Sequence, residues 1–416
     1  MVGQPDPLPS DAESELLLRL RDTPEIFEAI RQSTSLELSG QKSLRARFDQ
    51  ELVRAALSIN EAREKAKGIL PDADKLWLTR IGLEQCTAWD VARHKALRFA
   101  GVGSSCITQG RDADDGWAKQ SPVFDLCSGI GVDSAGIACV ADIIAVDQSP
   151  SMCLRVRWNA EIWGASKRLT TRCEDVSASD WAGAIVHVDP DRRAGQDRPT
   201  KRLEQYQPNL EWMQRLIRTA AGGGIKIGPA SNFQQKFPGC EIELISLNRE
   251  CREATVWFGS LAGEHLFRAT VLPAGESISA DPLSAWTNVA PQSGAFIFDP
   301  DPAVVRSGLL DVMAERYGLL RLDVEEEYLT GDLVPATAFV TAFEIEAVLP
   351  NSLKELKQHL RADPSPYYEI KCRRIPTESD VVSRQLPTGN AAPRVILFAR
   401  IAGRVAIVVA RRVPTT

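Results

Sequence analysis

The sequence predicts a chain organised around a central α/β domain with a parallel sheet, preceded by an all-helical region and followed by an α+β region. Three observations carry that expectation. From about residue 16 to 100, apolar residues recur at three- and four-residue spacing, the period of an amphipathic helix. Beyond residue 120 the period changes, and short β-rich runs alternate with helical stretches, as βαβ units require. A turn of small residues also follows the first of those runs, where a sheet of this kind receives ligands.

Taken in order, residues 1–15 read as disordered. ELLLRLRDTPEIFEAIRQ reads as helix with a break at Pro24, LRARFDQELVRAALSINEAREKAKGIL as a second helical stretch, and LEQCTAWDVARHKALRFA as a third. Residues 107–120 are polar and linker-like. The strand candidates are VFDLC, IIAVD, RLTTRC, AIVHVD, GGIKI, EIELISL and EATVWFG. SAGIACV, SPSMCLRVRWNAEIWG and PNLEWMQRLIRTAA are the helices between them. Only NRECR joins the last two strands, which allows a hairpin and no helical crossover. After residue 262 come FIFDPDPAVVRSGLLDVMAERYGLLRLD, then AFEIEAVL, a helix at SLKELKQHL, YYEIKCRR, and two strands around a Gly turn in PRVILFARIAGRVAIVVARR.

Composition bounds the class. The 416 residues are 44% apolar and 25% charged, ordinary for a globular protein. No run is long and apolar enough for a membrane span, and MVGQPDPLPSDAES lacks the pattern of a secretory signal. Nine cysteines with irregular spacing and no C-x-x-C argue against a disulfide framework or zinc ribbon. The four scattered histidines offer no visible metal site. A reducing cytoplasm is the expected compartment. Net charge is −6, but residues 351–416 hold 12 Lys or Arg against 5 Asp or Glu. That basic end reads either as a nucleic-acid patch or as a solvated surface.

In PVFDLCSGIGVDSAGIA an apolar strand ends at Asp125, and Cys127, Ser128, Gly129 and Gly131 open the next helix. Glycines there let a ligand approach the backbone closely. Asp147 ends the second strand, where an acid can take the two ribose hydroxyls of an adenosine. The dinucleotide fingerprint fails, because Ser134 stands where its third Gly or Ala belongs. The segment instead resembles the D-x-G-x-G-x-G pattern of methyltransferases, with Cys127 at the first Gly position. That resemblance implies S-adenosylmethionine as cofactor, with Asp125 near its methionine end, Asp147 on the ribose and Asp175 near the adenine edge. NAD, or a fold of this kind without cofactor, are the other readings.

The fourth strand ends AIVHVDPDRRAGQDRPTKR. Asp189-Pro190 falls where amino-methyltransferases carry D/N-P-P-Y, a motif whose Asp or Asn side chain and following carbonyl accept hydrogen bonds from a target amine. An Asp there sits at the carboxyl edge of the sheet. No aromatic follows. Arg192 and Arg193 do, then Arg198, Lys201 and Arg202. Arginines can clamp phosphate or stack on a base; the alternative is pairing with local carboxylates such as Asp191 or Asp125.

DPDRR, with LEQCTAWDVARHKA upstream and EIKCRR…RVILFAR…VAIVVARR at the end, resembles a bacterial group of class I methyltransferases with a THUMP-like C-terminal domain. The resemblance covers most of residues 80–414. It implies a helical N-terminal domain (1–106), a Rossmann-like S-adenosylmethionine-binding domain (118–262), a small ferredoxin-like unit (263–342) and a THUMP-like domain (343–416). A parallel sheet closing in an antiparallel pair fits that group. THUMP domains elsewhere bind RNA, so the resemblance implies a tRNA or rRNA base methyltransferase. It places Asp125, Cys127, Gly129, Gly131, Asp147 and Asp175 at the cofactor, and Asp189, Pro190, Arg192 and Arg193 at the target. Asn209 would help order the target loop.

Other residues read less sharply. Glu250 and Glu253 are expected to be solvated, and Cys251 to be a half-buried residue rather than a pyrimidine-attacking thiolate. Tyr367 and Tyr368 beside Lys371, Arg373 and Arg374 form an aromatic–basic cluster suited to stacking on single-stranded RNA, or one face of a core strand. Two further functions stay open: a methyltransferase acting on a protein or small molecule, and a non-catalytic RNA-binding protein that keeps the fold.

Overall fold

A computed structural model describes residues 11–32, 38–101, 121–193, 195 and 198–414. The first ten residues and the 107–120 linker lie outside the described residues. The chain forms two compact units, residues 1–240 with 253–263, and residues 241–252 with 264–416.

The first unit begins with helices α1 (Ala12–Arg21), α2 (Glu25–Gln32), α3 (Leu38–Arg47) and α4 (Gln50–Ala66). The expected break at Pro24 is present, but α1 starts before residue 16. Asp11 caps it, accepting from the Ser14 N–H at 2.7 Å. The second predicted stretch is also divided, because Asp49 accepts from the N–H groups of Glu51 and Leu52 and starts a new helix. Leu17, Leu20, Ile26, Ile30, Val53, Ala56 and Ile59 form one buried stripe with Trp77 and Trp158.

The third predicted helix is two. Helix α5 (Arg80–Gln85), capped by Thr79, stops at Cys86, and α6 (Trp89–Ala96) resumes after Ala88. The interruption turns the carbonyl of Gln85 and the hydroxyl of Thr87 away from a helix ladder.

The sheet follows the predicted alternation. Strand β1 (Val123–Leu126), helix α7 (Val132–Ala138), β2 (Ile143–Asp147), α8 (Pro150–Ile162), β3 (Leu169–Cys173), β4 (Ile185–Val188), α9 (Leu210–Thr219) and β5 (Gly222–Ile227) come in order. Two strands follow, β6 (Glu241–Leu247) and β7 (Glu250–Gly259), with left-handed Asn248 and Arg249 as the turn. In the first unit the strand order is β3-β2-β1-β4-β5-β7, all parallel except β7, which runs antiparallel to β5. This is the Rossmann-like arrangement of class I methyltransferases. Gly224 is what β7 needs from β5, since a Cβ there would meet the Trp257 ring at 2.7 Å. The order of the strands reverses between β1 and β4, and that switch opens a crevice at the carboxyl ends of the strands.

The second unit is α+β. Strand β6 pairs in parallel with β8 (Phe267–Leu272), which pairs with β9 (Glu276–Ala280). Then come β10 (Phe296–Pro300), α10 (Pro302–Arg306), α11 (Leu310–Arg316), β11 (Leu320–Arg321), β12 (Leu329–Gly331), β13 (Val340–Pro350), α12 (Leu353–Leu360), β14 (Tyr368–Cys372), α13 (Ser379–Ser383), β15 (Arg394–Ile401) and β16 (Arg404–Arg412). The strands from β10 onward form one sheet, ordered β11-β12-β10-β13-β16-β15-β14. The predicted C-terminal pair of strands turns through Ala402 and Gly403, both left-handed.

Candidate cofactor and target cleft

A cavity of about 940 Å³ lies at the carboxyl edge of the first unit's sheet. Its wall comes from the segments after β1, β2, β3 and β4, and from α5 through Ile81, Gly82 and Gln85. The helical N-terminal region therefore builds part of the cleft.

The turn after β1 holds Cys127, Gly129 and Gly131 at φ values of 64°, 55° and 85°. Cys127 adopts the left-handed conformation that glycine takes freely, at a cost of about 1–2 kcal/mol. Gly131 leaves no room, since a Cβ would meet Val156 at 3.0 Å. At the tip of β2, Asp147 accepts from Gly129 N at 3.0 Å through Oδ2 and from Ser149 N at 2.9 Å through Oδ1. Burial pushes its carboxyl above the usual range even so. Cys127, Gly129, Asp147 and Asp175 line the cavity; Asp125 and Gly131 are not in its wall.

Asp125 is fully buried beneath the cleft. His187 donates its Nδ1–H to Asp125 Oδ1 at 2.7 Å, and Ser134 donates to Oδ2. The other ring nitrogen faces Lys95 Nζ at 3.3 Å. Lys95, 1% exposed, pairs with Asp133 at 2.9 Å and Glu253 at 2.6 Å. Thr87, in the break between α5 and α6, donates to Asp133 at 2.5 Å. Glu253 is buried rather than solvated, because it sits on the inward face of β7 with Lys95 as counterion; Glu250 is exposed as expected. Asp133, not Asp125, is the carboxylate of this turn that reaches the cleft. Burial works to raise its pKa, but Lys95, His187 and Lys226 hold it well below the usual range. Burial likewise opposes a charge on His187, yet Asp133 and Asp125 keep its pKa above the ordinary value.

The tip of β4 carries Asp189 and Pro190, both in the cleft wall. Lys226 of β5 donates to Asp189 Oδ2 at 2.6 Å and to the Gln85 carbonyl at 3.0 Å. The two arginines part company. Arg192 lines the cleft. Arg193 turns to Glu84 of α5 at 2.7 Å, and its backbone N–H donates to Asp191 at 2.9 Å. The pairing alternative describes Arg193, with Glu84 in place of the suggested partners. Asn209 caps α9 through Trp212 N at 3.1 Å, and Tyr206, Trp212 and Arg215 extend the wall beyond Asp189.

Sequence reading did not single out Lys226, Lys95, His187, Thr87 or Gln85. A signal existed for two of them: Lys226 in GGGIKI and His187 in AIVHVD are polar residues inside apolar strand runs, where an unpaired charge is costly.

Seven of the twelve cations in residues 351–416 form ion pairs within the second unit. Arg373 pairs with Asp299 and Glu327, Lys371 with Asp299, Arg394 with Glu346 and Asp363, and Arg412 with Glu369. Tyr368 is buried, its hydroxyl donating to the Pro387 carbonyl, while Tyr367 is exposed. Of the aromatic–basic cluster only Tyr368 is buried; Lys371 and Arg373 are half-buried in ion pairs, and Tyr367 and Arg374 are exposed.

S-adenosylmethionine fits this cleft. The backbone turn needs little side-chain volume, the acid at the β2 tip is in the wall, and the buried Ser128 hydroxyl has no partner among the described residues. Asp133, Asp147, Asp175 and Asp189 line the cavity with Arg192, and Lys226 stands behind Asp189, an acidic balance that suits a cationic sulfonium and ammonium.

Fold and cleft together define a class I methyltransferase. A protein of Mycobacterium tuberculosis (strain CDC 1551 / Oshkosh), described as an uncharacterized S-adenosylmethionine-dependent methyltransferase, is 31% identical over 369 residues, which is 86% of this chain and 95% of its own length. The counterpart in strain ATCC 25618 / H37Rv matches equally. Residues 340–412, from β13 to β16, match the family described as THUMP domain-like. A crystal structure from Porphyromonas gingivalis W83, whose description proposes a methyltransferase, shares the fold at a TM-score of 0.71 and 16% identity, covering 97% of this chain and 99% of its own. The chain belongs to the S-adenosylmethionine-dependent methyltransferases, within the bacterial class I group that carries a THUMP-like C-terminal domain, and S-adenosylmethionine is its cofactor. Among the described residues no helix is long and apolar enough to cross a membrane.

Proposed function

We propose that this enzyme methylates an amino group on a base of tRNA or rRNA, with Asp189 and Pro190 receiving the target. The observation that carries the reading is the Asp189 carboxylate. One oxygen is held by Lys226, and among the described residues the other has no partner, in a group that lines the cleft. S-adenosylmethionine, when bound, supplies an electrophilic methyl group. Asp189 orients the amine through a hydrogen bond from its N–H, so that the nitrogen lone pair points along the S–C axis. As the N–C bond forms, the S–C pair stays on sulfur, and Asp189 takes the proton that the nitrogen sheds. Arg192 stands beside the motif as a base-stacking or phosphate contact. Asp147 and the Gly129 turn hold the adenosine, with Asp175 at its base edge.

The THUMP-like unit and the cations of residues 192–202 support RNA as the carrier of the amine. The test is transfer of labelled methyl groups to total tRNA and rRNA from cells lacking this protein. Label entering RNA with wild type and not with Asp189→Ala supports the reading. Label entering only protein or a small molecule sinks it.

A further inference from the structure

Asp189 has a companion that the functional reading leaves unexplained. Lys226 is the one charged residue of GGGIKI, in a strand lying between β4 and β7. The β4–β5 register pairs Val188 with Ile225, so the next step along both strands sets Lys226 beside Asp189. Its side chain is 6% exposed, and both its contacts converge on the cleft: Asp189 Oδ2 at 2.6 Å and the carbonyl of Gln85 at 3.0 Å. That carbonyl is available because α5 stops there. Gln85 also donates through Nε2 to Asp191 at 3.2 Å, so the end of α5 grips both sides of the Asp189-Pro190 step.

We infer that Lys226 is a positioning residue for methyl transfer: it ties one oxygen of Asp189 to the end of α5 and keeps the other oxygen ionised and aimed at the target N–H. The inference rests on the reading of Asp189 given above. Although its side chain is 25% exposed, lost hydration pushes Asp189 toward its neutral form, and its carboxyl lies above the usual range. A neutral carboxyl would meet an amine with the wrong proton inventory, having a hydrogen to give where one must be received. Lys226 opposes that. The other groups facing Asp189 are Asp133 of α7, which pushes the same way as burial, Lys95 of α6, which helps Lys226, Cys86 at the end of α5 and Cys127 in the β1 turn. Among these Lys226 is the only cation in contact.

The test reads the proton on Asp189 directly. Infrared difference titration of the full-length protein with S-adenosylhomocysteine bound, wild type against Asp189→Asn, isolates the Asp189 carboxyl band. In Lys226→Gln and Lys226→Met that band should titrate about one pH unit or more above wild type. On acidification, methyl transfer to total RNA from cells lacking the protein should fail about one pH unit or more earlier than in wild type and recover as pH rises, with KM for S-adenosylmethionine unchanged. Retained thermal stabilisation by S-adenosylhomocysteine certifies that each variant folds; if Met does not pass, Gln, which keeps a hydrogen-bond donor, carries the test. An Asp189 band that titrates at the same pH with and without Lys226 overturns the inference, whatever the activity. Full activity in Asp189→Ala overturns instead the reading beneath it.

Discussion

Lys95 and Lys226 are both buried lysines held by carboxylates 2.6 to 2.9 Å away, yet their surroundings differ. Lys95 is closed in by Asp133, Glu253 and His187, with Asp125 behind the histidine. Lys226 is shared between one carboxylate oxygen and one carbonyl, and its partner Asp189 opens onto the cleft. A lysine enclosed on every side acts first on structure, even though its partner Asp133 also lines the cleft. A pair with one acceptor oxygen left over can meet a ligand. Two substitutions with similar chemistry should therefore produce different losses.

The largest expected effect is on Asp189. Asp189→Ala removes the acceptor of the target N–H, so kcat should fall about 10²- to 10⁴-fold, while the thermal shift produced by S-adenosylhomocysteine persists. Lys95→Met is the counterpart in the sealed cluster. It leaves Asp133 and Glu253 without their cation, and should cost about 3–5 kcal/mol of stability by denaturant titration. If Lys95→Met instead spares stability and abolishes turnover, the contrast between the two lysines collapses.

Asp147→Ala should come next. The ligand at 100 times its dissociation constant stabilises wild type by about 2.7 kcal/mol, and calorimetry should show that gain lost in the variant. A persistent shift would remove Asp147 from the cofactor site.

The sealed cluster also sets an acid limit. Burial opposes ionisation of Asp133, but Lys95 outweighs it and leaves the folded-state pKa below the unfolded value of about 3.9. A depressed carboxylate contributes stability above the unfolded pKa and loses it as pH falls toward the folded one. The stability difference between wild type and Asp133→Asn should therefore be flat above about pH 5 and shrink below about pH 4. A difference that grows on acidification would reverse the sign assigned to this group.

The comparison also marks what was legible in the sequence. The central sheet was readable because period-2 runs and helical runs alternate, and Asp147 and Asp189 were readable because acids at strand tips follow apolar runs. Helix ends were misplaced where one side chain overrides periodicity, as Asp49 does at α4 and Thr79 at α5. Asp125 was drawn to the cofactor by motif position, but its neighbours on β4 and α7 take it inward. Lys226 and Lys95 find their partners on strands and helices far along the chain, and neither spacing nor composition encodes such a pairing. The paired arginines of the C-terminal unit mislead for the same reason: a count of charges shows a surplus, while Asp299, Glu327 and Glu346 absorb it locally.

The smallest expected effect concerns the one residue at which this chain leaves the glycine pattern. Cys127 holds a φ of 64° in the cofactor turn, where a side chain costs about 1–2 kcal/mol over glycine. Its thiol is pushed well up by burial and by Asp147 and Asp189, so it is a neutral packing group and not a nucleophile. Cys127→Gly relieves the backbone but gives up that packing and gains freedom in the unfolded chain. The terms nearly cancel, and the variant should lie within about 1 kcal/mol of wild type, on the more stable side. Turnover should be retained, since no proton or electron pair passes through the thiol. Cys127→Ala keeps the strain and loses the sulfur, so it should be less stable than either. If Ala proved the most stable of the three, the strain assigned to this turn would be wrong. If Gly abolished turnover, Cys127 would join Asp189 on the open side of the comparison.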